Sequence, residues 1–167
     1  MRQQSISQIF FEEEYLVPHD QTATKLFARL PEGSAYAAAL IECFATSYLI
    51  AVLESVCIRE MRLHVDWVAE VIVGRNVGID HHRPIPPGTR LRLCGWIQGM
   101  GDRSATFRVN AHDDIEVVCD AAITLVTVQR ASMALLIATK KDRLRLGRLD
   151  EGDDGTLNLI RSHSKSD

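Results

Sequence analysis

The feature that most constrains the fold is an almost unbroken apolar run at positions 42–54, ECFATSYLIAVLE, with a glutamate at each end. The wider apolar region at 35–58 is long enough to suggest a membrane helix, which needs about 20 apolar residues. However, Glu42 and Glu54 both lie inside it, and an acid at the centre of a spanning helix costs roughly 2.5–3.5 kcal/mol. The run therefore predicts a helix buried within a folded domain, with no association with a membrane.

That helix is expected to begin at Thr46 and to end near Arg62. Apolar residues recur there at intervals of three, four and seven residues, which is the spacing of an α-helix. Because the helix is apolar on almost every side, we expect protein to surround it. Thr46 suits the N-cap or the first turn, whereas a carboxylate at Glu54 among apolar side chains needs a partner.

Strand patterns occur on both sides of this helix. They are segments rich in β-branched or alternating apolar residues, separated by Pro, Gly and Asp turns. The predicted strands are 6–17, 68–79, 89–97, 105–111 and 115–128, with a short helix within 22–30. This order predicts an α+β fold in which a curled antiparallel sheet covers one long central helix. It is also the element order of a hot-dog fold.

Length and charge suggest one domain followed by an extension. A chain of 167 residues suits a single domain with a sizeable core. We assign 1–130 to that domain and 131–167 to a partly disordered C-terminal extension, because apolar residues at 131–138 give way to charged blocks and a polar tail. The net charge of −3 provides no general attraction for nucleic acid.

The four cysteines indicate a reducing compartment. Cys43, Cys57, Cys94 and Cys119 are widely spaced and form no CxxC pair, so we expect small buried thiols rather than disulfides or a zinc site. Acidic residues interrupt the N-terminal segment before a signal-peptide core can form. We therefore expect a cytoplasmic protein.

Two segments resemble a known enzyme family. ECFATSYLIAVLESVCIREM at 42–61 and VGRNVGIDHHRPIPPGTRL at 73–91 are similar to the signature of the fluoroacetyl-CoA-type thioesterases, which are single-hot-dog enzymes. In that signature a glutamate follows a threonine by eight residues, and a histidine follows a glycine by seven, ahead of a PPG turn. The matching positions are Thr46, Glu54, Gly74, His81 and the turn at 86–88. The N-terminal piece YLVPHDQTATKLF at 15–27 is also similar, and the resemblance extends over residues 9–129.

The resemblance implies a homodimeric acyl-CoA thioesterase that uses no cofactor and no metal. It implies catalytic roles for Thr46, Glu54 and His81, and a backbone contact from Gly74 to the acyl group or its oxygen. We expect Leu40 and Cys43, in the segment upstream of the threonine, to contact the substrate as well. The alternative is a hot-dog module that binds an acyl thioester or a small acid without hydrolysing it.

The residue chemistry suits thioester hydrolysis. A histidine titrates near pH 6.5 and can accept a proton at neutral pH, and Thr46 can either attack the thioester or orient a water. If Thr46 and Glu54 both lie in one helix, their backbones are about 12 Å apart. Either the helix begins irregularly or the site is completed across a subunit boundary, and we expect the second.

The residues around His81 offer two alternatives, a different base and a metal site. His82 could replace His81 as the base, but adjacent strand residues face opposite ways, and the spacing from Gly74 selects His81. The run Asp80-His81-His82 also suggests a metal, yet its side chains should point apart and no second cluster of ligands accompanies it.

The sequence departs from the family pattern at two places. Fluoroacetyl-selective members carry aromatic residues just upstream of the threonine, where this chain has YAAAL at 36–40. We therefore expect a more open pocket and an acyl group other than fluoroacetyl. The segment AAIT at 121–124 stands where the family has Thr-His-Glu-Arg, so an arginine contact of the relatives is missing.

Overall fold

The computed structural model describes residues 10–150, and the surroundings of side chains as far as residue 145. Its core is one antiparallel sheet of five strands in the order β1-β3-β4-β5-β2. The elements are β1 Phe10–Leu16, α1 Ala23–Phe27, α2 Ser34–Ala37, α3 Thr46–Arg62, β2 Glu70–His81, β3 Arg90–Met100, β4 Ser104–His112, β5 Val117–Gln129 and α4 Arg130–Asp150. The strands β1 and β2 therefore lie at the two edges of the sheet.

The long helix α3 packs against one face of this sheet, against β2, β4 and β5. It has the predicted bounds, and it buries Leu49, Leu53, Val56, Cys57 and Met61. The strand residues opposite alternate between buried and accessible positions, as the two faces of a strand require. The predicted α+β class and hot-dog arrangement are confirmed.

The edge strand β1 is fixed to the sheet by a close contact with β3. The ring of Phe11 lies directly over Gly95, where an added Cβ would overlap with the ring. Phe11 also packs against Phe107 of β4, with ring centroids 6.3 Å apart. The absence of a side chain at Gly95 thus allows an aromatic residue from the edge strand to enter the core.

Two strand starts differ from the predicted ones because an aspartate holds the preceding residues in a turn. The amides of Val68 and Ala69 donate to Asp66 Oδ1, and β2 begins at Glu70. The amides of Ile115 and Glu116 likewise donate to Asp113 Oδ1, and β5 begins at Val117. In each case the aspartate competes with the sheet for backbone donors.

Other boundaries also differ from the prediction. The strand β2 continues to His81 rather than ending at residue 79, and β3 continues to Met100. The first strand was predicted over 6–17, of which β1 forms 10–16, and positions 6–9 lie outside the described residues. The short helix α2 was not predicted.

Chain contacts divide the molecule into two compact units, with the boundary between Arg130 and Ala131. Beyond that boundary the structure describes α4 alone, with Leu135, Leu136 and Ile137 exposed on its surface. The disorder predicted for the end of the extension falls on residues 151–167, outside the described part of the chain. None of the described helices is both long and apolar enough to cross a membrane.

Candidate active site

A hydrogen bond joins Thr46 to His81. Thr46 is the first residue of α3 and His81 is the last residue of β2, and Thr46 Oγ1 lies 2.9 Å from His81 Nδ1. The N-cap position belongs to Ala45, whose backbone is extended and whose side chain supplies no cap. The threonine hydroxyl is therefore directed to the imidazole rather than to the start of its own helix.

Burial controls the protonation of His81. Its ring is half-buried, and burial lowers the pKa of this imidazole below the usual 6.5 because the charged form loses solvation. Its Nε2 atom is fully buried and has no hydrogen-bond partner among the described residues. At neutral pH the ring is uncharged, so one of its nitrogens can accept a proton.

Backbone hydrogen bonds bring three segments together around this pair. The Phe44 amide donates to the Ile85 carbonyl at 2.7 Å, which places the end of β2 beside the start of α3. The Ala23 amide donates to the Cys43 carbonyl at 2.8 Å and brings α1 to the same place. An open cleft of about 430 Å³ lies between them, lined by Ala23, Phe27, Cys43, Phe44, Ala45, Thr46, Ser47, His81, His82, Arg83 and Pro84.

The beginning of α3 contributes a positive field to the cleft. Ala45, Thr46 and Ser47 all line it, and the first amides of a helix have no carbonyl partner within the helix. These donors, together with the helix dipole, favour negative charge at this end. A carbonyl oxygen that gains charge during a reaction would be stabilised there.

Glu54 and Gly74 form a second close pair. The half-buried carboxylate of Glu54 lies so near Gly74 that an added Cβ would overlap with its Oε1 atom. The pairing of β2 with β5 shifts register between Gly74 and Asn76, and such a bulge changes the direction of neighbouring side chains. A side chain at position 74 would therefore displace the Glu54 carboxylate from its place against the strand.

The two pairs do not form one contact cluster. Within the described chain, no hydrogen bond or ion pair links Glu54 to Thr46 or to His81. The helix α3 is regular from Thr46 to Arg62, so the eight residues between Thr46 and Glu54 correspond to about 12 Å. The irregular helix start that the sequence left open is not found.

The neighbouring histidine has different partners. His82 Nε2 lies 2.9 Å from Asp120 Oδ2, and the other oxygen of Asp120 accepts a hydrogen bond of 2.6 Å from Asn110 Nδ2. His82 also lines the cleft, and its ring is held by the Asp120 carboxylate. The described residues contain no group of three His, Cys, Asp or Glu side chains arranged to hold a metal ion.

Some cleft residues were not predicted. Of the two residues that were predicted to contact the substrate, Cys43 lines the cleft, whereas Leu40 is half-buried and is not among the lining residues. Phe27 supplies an aromatic ring from α1, not from the segment upstream of the threonine, and this ring packs at a tilt against Tyr36 with 5.8 Å between the ring centroids. Arg83 was also missed, although its position directly after the histidine pair was a signal.

Comparison with known proteins supports this reading of the fold. The family model for the fluoroacetyl-CoA-specific thioesterases matches residues 31–131. The chain belongs to that family. It is also 25% identical to the fluoroacetyl-CoA thioesterase of Streptantibioticus cattleyicolor over 108 residues, which cover 65% of this chain and 74% of the relative. Membership of this family identifies the protein as a thioester hydrolase.

Solved structures share the same fold. The fluoroacetyl-CoA thioesterase FlK superposes with a TM-score of 0.71 at 22% identity, covering 78% of this chain and 93% of its own. A hypothetical protein from Thermus thermophilus, described as a thioesterase superfamily member, superposes with a TM-score of 0.72 at 16% identity, covering 87% and 99%. At these identities the likeness establishes the hot-dog fold alone.

Proposed function

We propose that this thioesterase hydrolyses an acyl-CoA to the free acid and CoA, with Thr46 and His81 at the centre of the reaction. The observation that carries the proposal is their 2.9 Å hydrogen bond at the edge of an open cleft, beside the positive end of α3. A hydroxyl bonded to a neutral imidazole is the arrangement in which a base activates a nucleophile.

The reaction follows from that pair. In the direct route, His81 takes the hydroxyl proton of Thr46, Oγ1 forms a bond to the thioester carbon, and the carbon–sulfur bond breaks. The thiolate of CoA leaves with the proton from His81, and a water then releases the acid by the same sequence of steps. In the second route, Thr46 holds the attacking water, and His81 takes a proton from that water as its oxygen bonds to the thioester carbon. The carbon–sulfur bond then breaks, and the thiolate of CoA leaves with the proton from His81. Detection of an acyl group on Thr46 by mass spectrometry after rapid quenching separates the two routes.

The cleft is suited to a short or medium acyl group. Its volume of about 430 Å³ lies within the range of roughly 300–1,000 Å³ that is usual for small-molecule sites. Phe27, Phe44 and Ala45 give it an apolar wall. The helix amides beside Thr46 would stabilise the oxygen that becomes negative when the thioester carbon is attacked.

Glu54 and Gly74 complete the proposed site across a homodimer interface. Within one chain Glu54 lies about two helical turns beyond Thr46, too far for both to contact one acyl carbon. Among the described strands, β2, which carries Gly74 and His81, pairs with β5 alone and forms a 12-residue edge of the sheet. Long edge strands are usually covered, and a second copy paired along β2 would bring the two pairs from different subunits together.

The expected location is the cytoplasm. All four cysteines of the chain, Cys43, Cys57, Cys94 and Cys119, are free thiols. Burial raises the pKa of the Cys57 and Cys119 thiols to about 12, which keeps them protonated and inert. Free buried thiols are typical of a reducing compartment.

A panel of acyl-CoA substrates tests the proposed function. The purified protein is incubated with acyl-CoAs of increasing chain length and a reagent that reports free thiol. Turnover that disappears in His81→Ala supports hydrolysis at this site. If wild-type protein binds the acyl-CoAs without releasing CoA from any of them, the proposal fails and the non-hydrolytic binding module replaces it.

A further inference from the structure

We propose that Arg83 binds the phosphate groups of the CoA carrier and so selects a phosphorylated thiol arm. This inference rests on the proposed acyl-CoA substrate and names the residue that recognises its anionic end. Arg83 lies two residues after His81 and lines the same cleft. Its backbone is therefore within about 7 Å of that of His81, so one substrate molecule can contact both residues.

The charge of the cleft favours an anion. Among the described residues that line it, Arg83 is the one permanent cation, and none is a carboxylate. The chain as a whole carries a net charge of −3, which offers no general attraction to a polyanion such as CoA. Attraction must then come from a local cation, and Arg83 is in position to provide it.

Two hydrogen bonds to described residues orient the guanidinium of Arg83 and leave its other N–H donors free to bind a ligand. Its Nε donates to Glu116 Oε2 at 2.8 Å and its Nη1 donates to the His82 carbonyl at 3.1 Å. A guanidinium has five N–H donors, so three remain without a partner within the described chain. Two contacts that fix the plane of the group, with donors left over, form an arrangement suited to a phosphate.

The ion pair with Glu116 does not prevent this role. The Arg83 side chain is 55% exposed and that of Glu116 is 44% exposed. Exposed pairs contribute little to stability because water screens them. A phosphate with two negative oxygens can therefore share the guanidinium with Glu116 or displace it, while the His82 carbonyl keeps the arginine at the cleft.

The test compares free CoA with pantetheine, which has the same thiol arm but no phosphate. Calorimetric titration of both compounds is done with the wild type, Arg83→Gln, Arg83→Lys and a control, Arg108→Gln. Arg108 is an exposed arginine of β4 whose Nε binds Gln98 and which does not line the cleft. We expect Arg83→Gln to weaken CoA binding roughly 10- to 100-fold, with an intermediate value for Arg83→Lys.

Pantetheine binding and the Arg108→Gln variant should be unchanged, and added salt should weaken CoA binding less in Arg83→Gln than in the wild type. Unchanged CoA binding in Arg83→Gln, or an equal loss for CoA and pantetheine, would overturn the proposal.

Binding and turnover separate this inference from the proposed function. If Arg83→Gln loses affinity for CoA while the wild type hydrolyses no thioester, phosphate recognition stands and hydrolysis falls. If the wild type hydrolyses acyl-CoA and Arg83→Gln retains the same KM, hydrolysis stands and phosphate recognition falls. Joint support requires a higher KM for acyl-CoA in Arg83→Gln, with kcat retained and with acyl-pantetheine hydrolysed as by the wild type.

Discussion

The hydroxyl of Thr46 and the imidazole of His81 are 35 residues apart in the chain, yet Oγ1 and Nδ1 lie 2.9 Å from each other. The contact joins the start of the central helix to the end of an edge strand, so both groups are held by regular structure rather than by mobile loops. Groups held in this way lose little freedom on reaching a reactive geometry. In the proposed mechanism this contact is the reacting pair.

Replacing Gly74 with alanine should reduce turnover by roughly 10- to 100-fold, because small displacements of reacting groups have effects of that size. The added Cβ would overlap with Glu54 Oε1 and force the carboxylate to move. The measurement is kcat on the best acyl-CoA, with thermal unfolding to confirm that the variant is folded.

Gly78→Ala is the matched control for that substitution. Gly78 lies in the same strand, and an added Cβ there has no neighbour within 4 Å. We expect its kcat to stay within about twofold of the wild type, since the added methyl group displaces no neighbouring atom of the chain. Equal kcat values in the two variants would show that the position of Glu54 is unimportant for the reaction.

Activity should fall on acidification, with a midpoint at a pH below the pKa of an ordinary histidine. Burial lowers the pKa of His81 from the usual 6.5, so the ring stays neutral and able to accept a proton as the pH falls through 6.5. Over that interval the unfolded chain binds more protons than the folded one, so the contribution of His81 to the free energy of unfolding increases with pH. A pH profile of kcat/KM with its acid midpoint at or above 6.5 would contradict the assignment.

His82→Ala should retain most of the activity, whereas His81→Ala should lose it. The ring of His82 is held by Asp120, and an exposed pair of this kind contributes about 0–1 kcal/mol to stability. A general base contributes roughly 10²–10⁴-fold to the rate. Both kcat values are measured under the same conditions, and a larger loss in His82→Ala would reverse the roles of the two histidines.

Mixed dimers test whether the site is shared between subunits. Thr46→Ala and Glu54→Ala chains, inactive alone, are unfolded together and refolded, so that about half of the dimers contain one of each when the symmetric contact forms at random. If Thr46 and Glu54 act from different subunits, one of the two sites in each mixed dimer is intact, and part of the wild-type turnover returns. No recovery in a sample shown to contain mixed dimers would place the site within one chain.

Local patterns predicted the helix better than the strand ends. The bounds Thr46–Arg62 follow from apolar periodicity, a short-range property. The end of β2 depends on pairing with β5, in which His81 lies opposite Cys119 across a long stretch of sequence. The polar residues Asp80, His81 and His82 have low β-propensity, so pairing with β5 rather than the local sequence extends the strand to His81.

The site was accessible from the sequence only through the resemblance. Thr46, Glu54, Gly74 and His81 were grouped by family spacing, and no local rule pairs the threonine with the histidine. The closeness of Glu54 to Gly74 is a packing contact between a helix and a strand, which periodicity does not report. Phe27 reaches the cleft because a hydrogen bond from the Ala23 amide to the Cys43 carbonyl brings α1 there. That hydrogen bond joins two backbone groups, so no distinctive side chain in the sequence indicates it.

The most direct test of the central claim is a double-mutant cycle on kcat/KM with Thr46→Ala, His81→Ala and the double variant. Two groups that act as a unit give strongly non-additive losses. We predict that each single variant loses roughly 10²–10⁴-fold and that the double variant loses no more than the worse single one. Losses that multiply, or a His81→Ala variant with wild-type turnover, would show that the hydrogen-bonded pair is not where the thioester is cleaved.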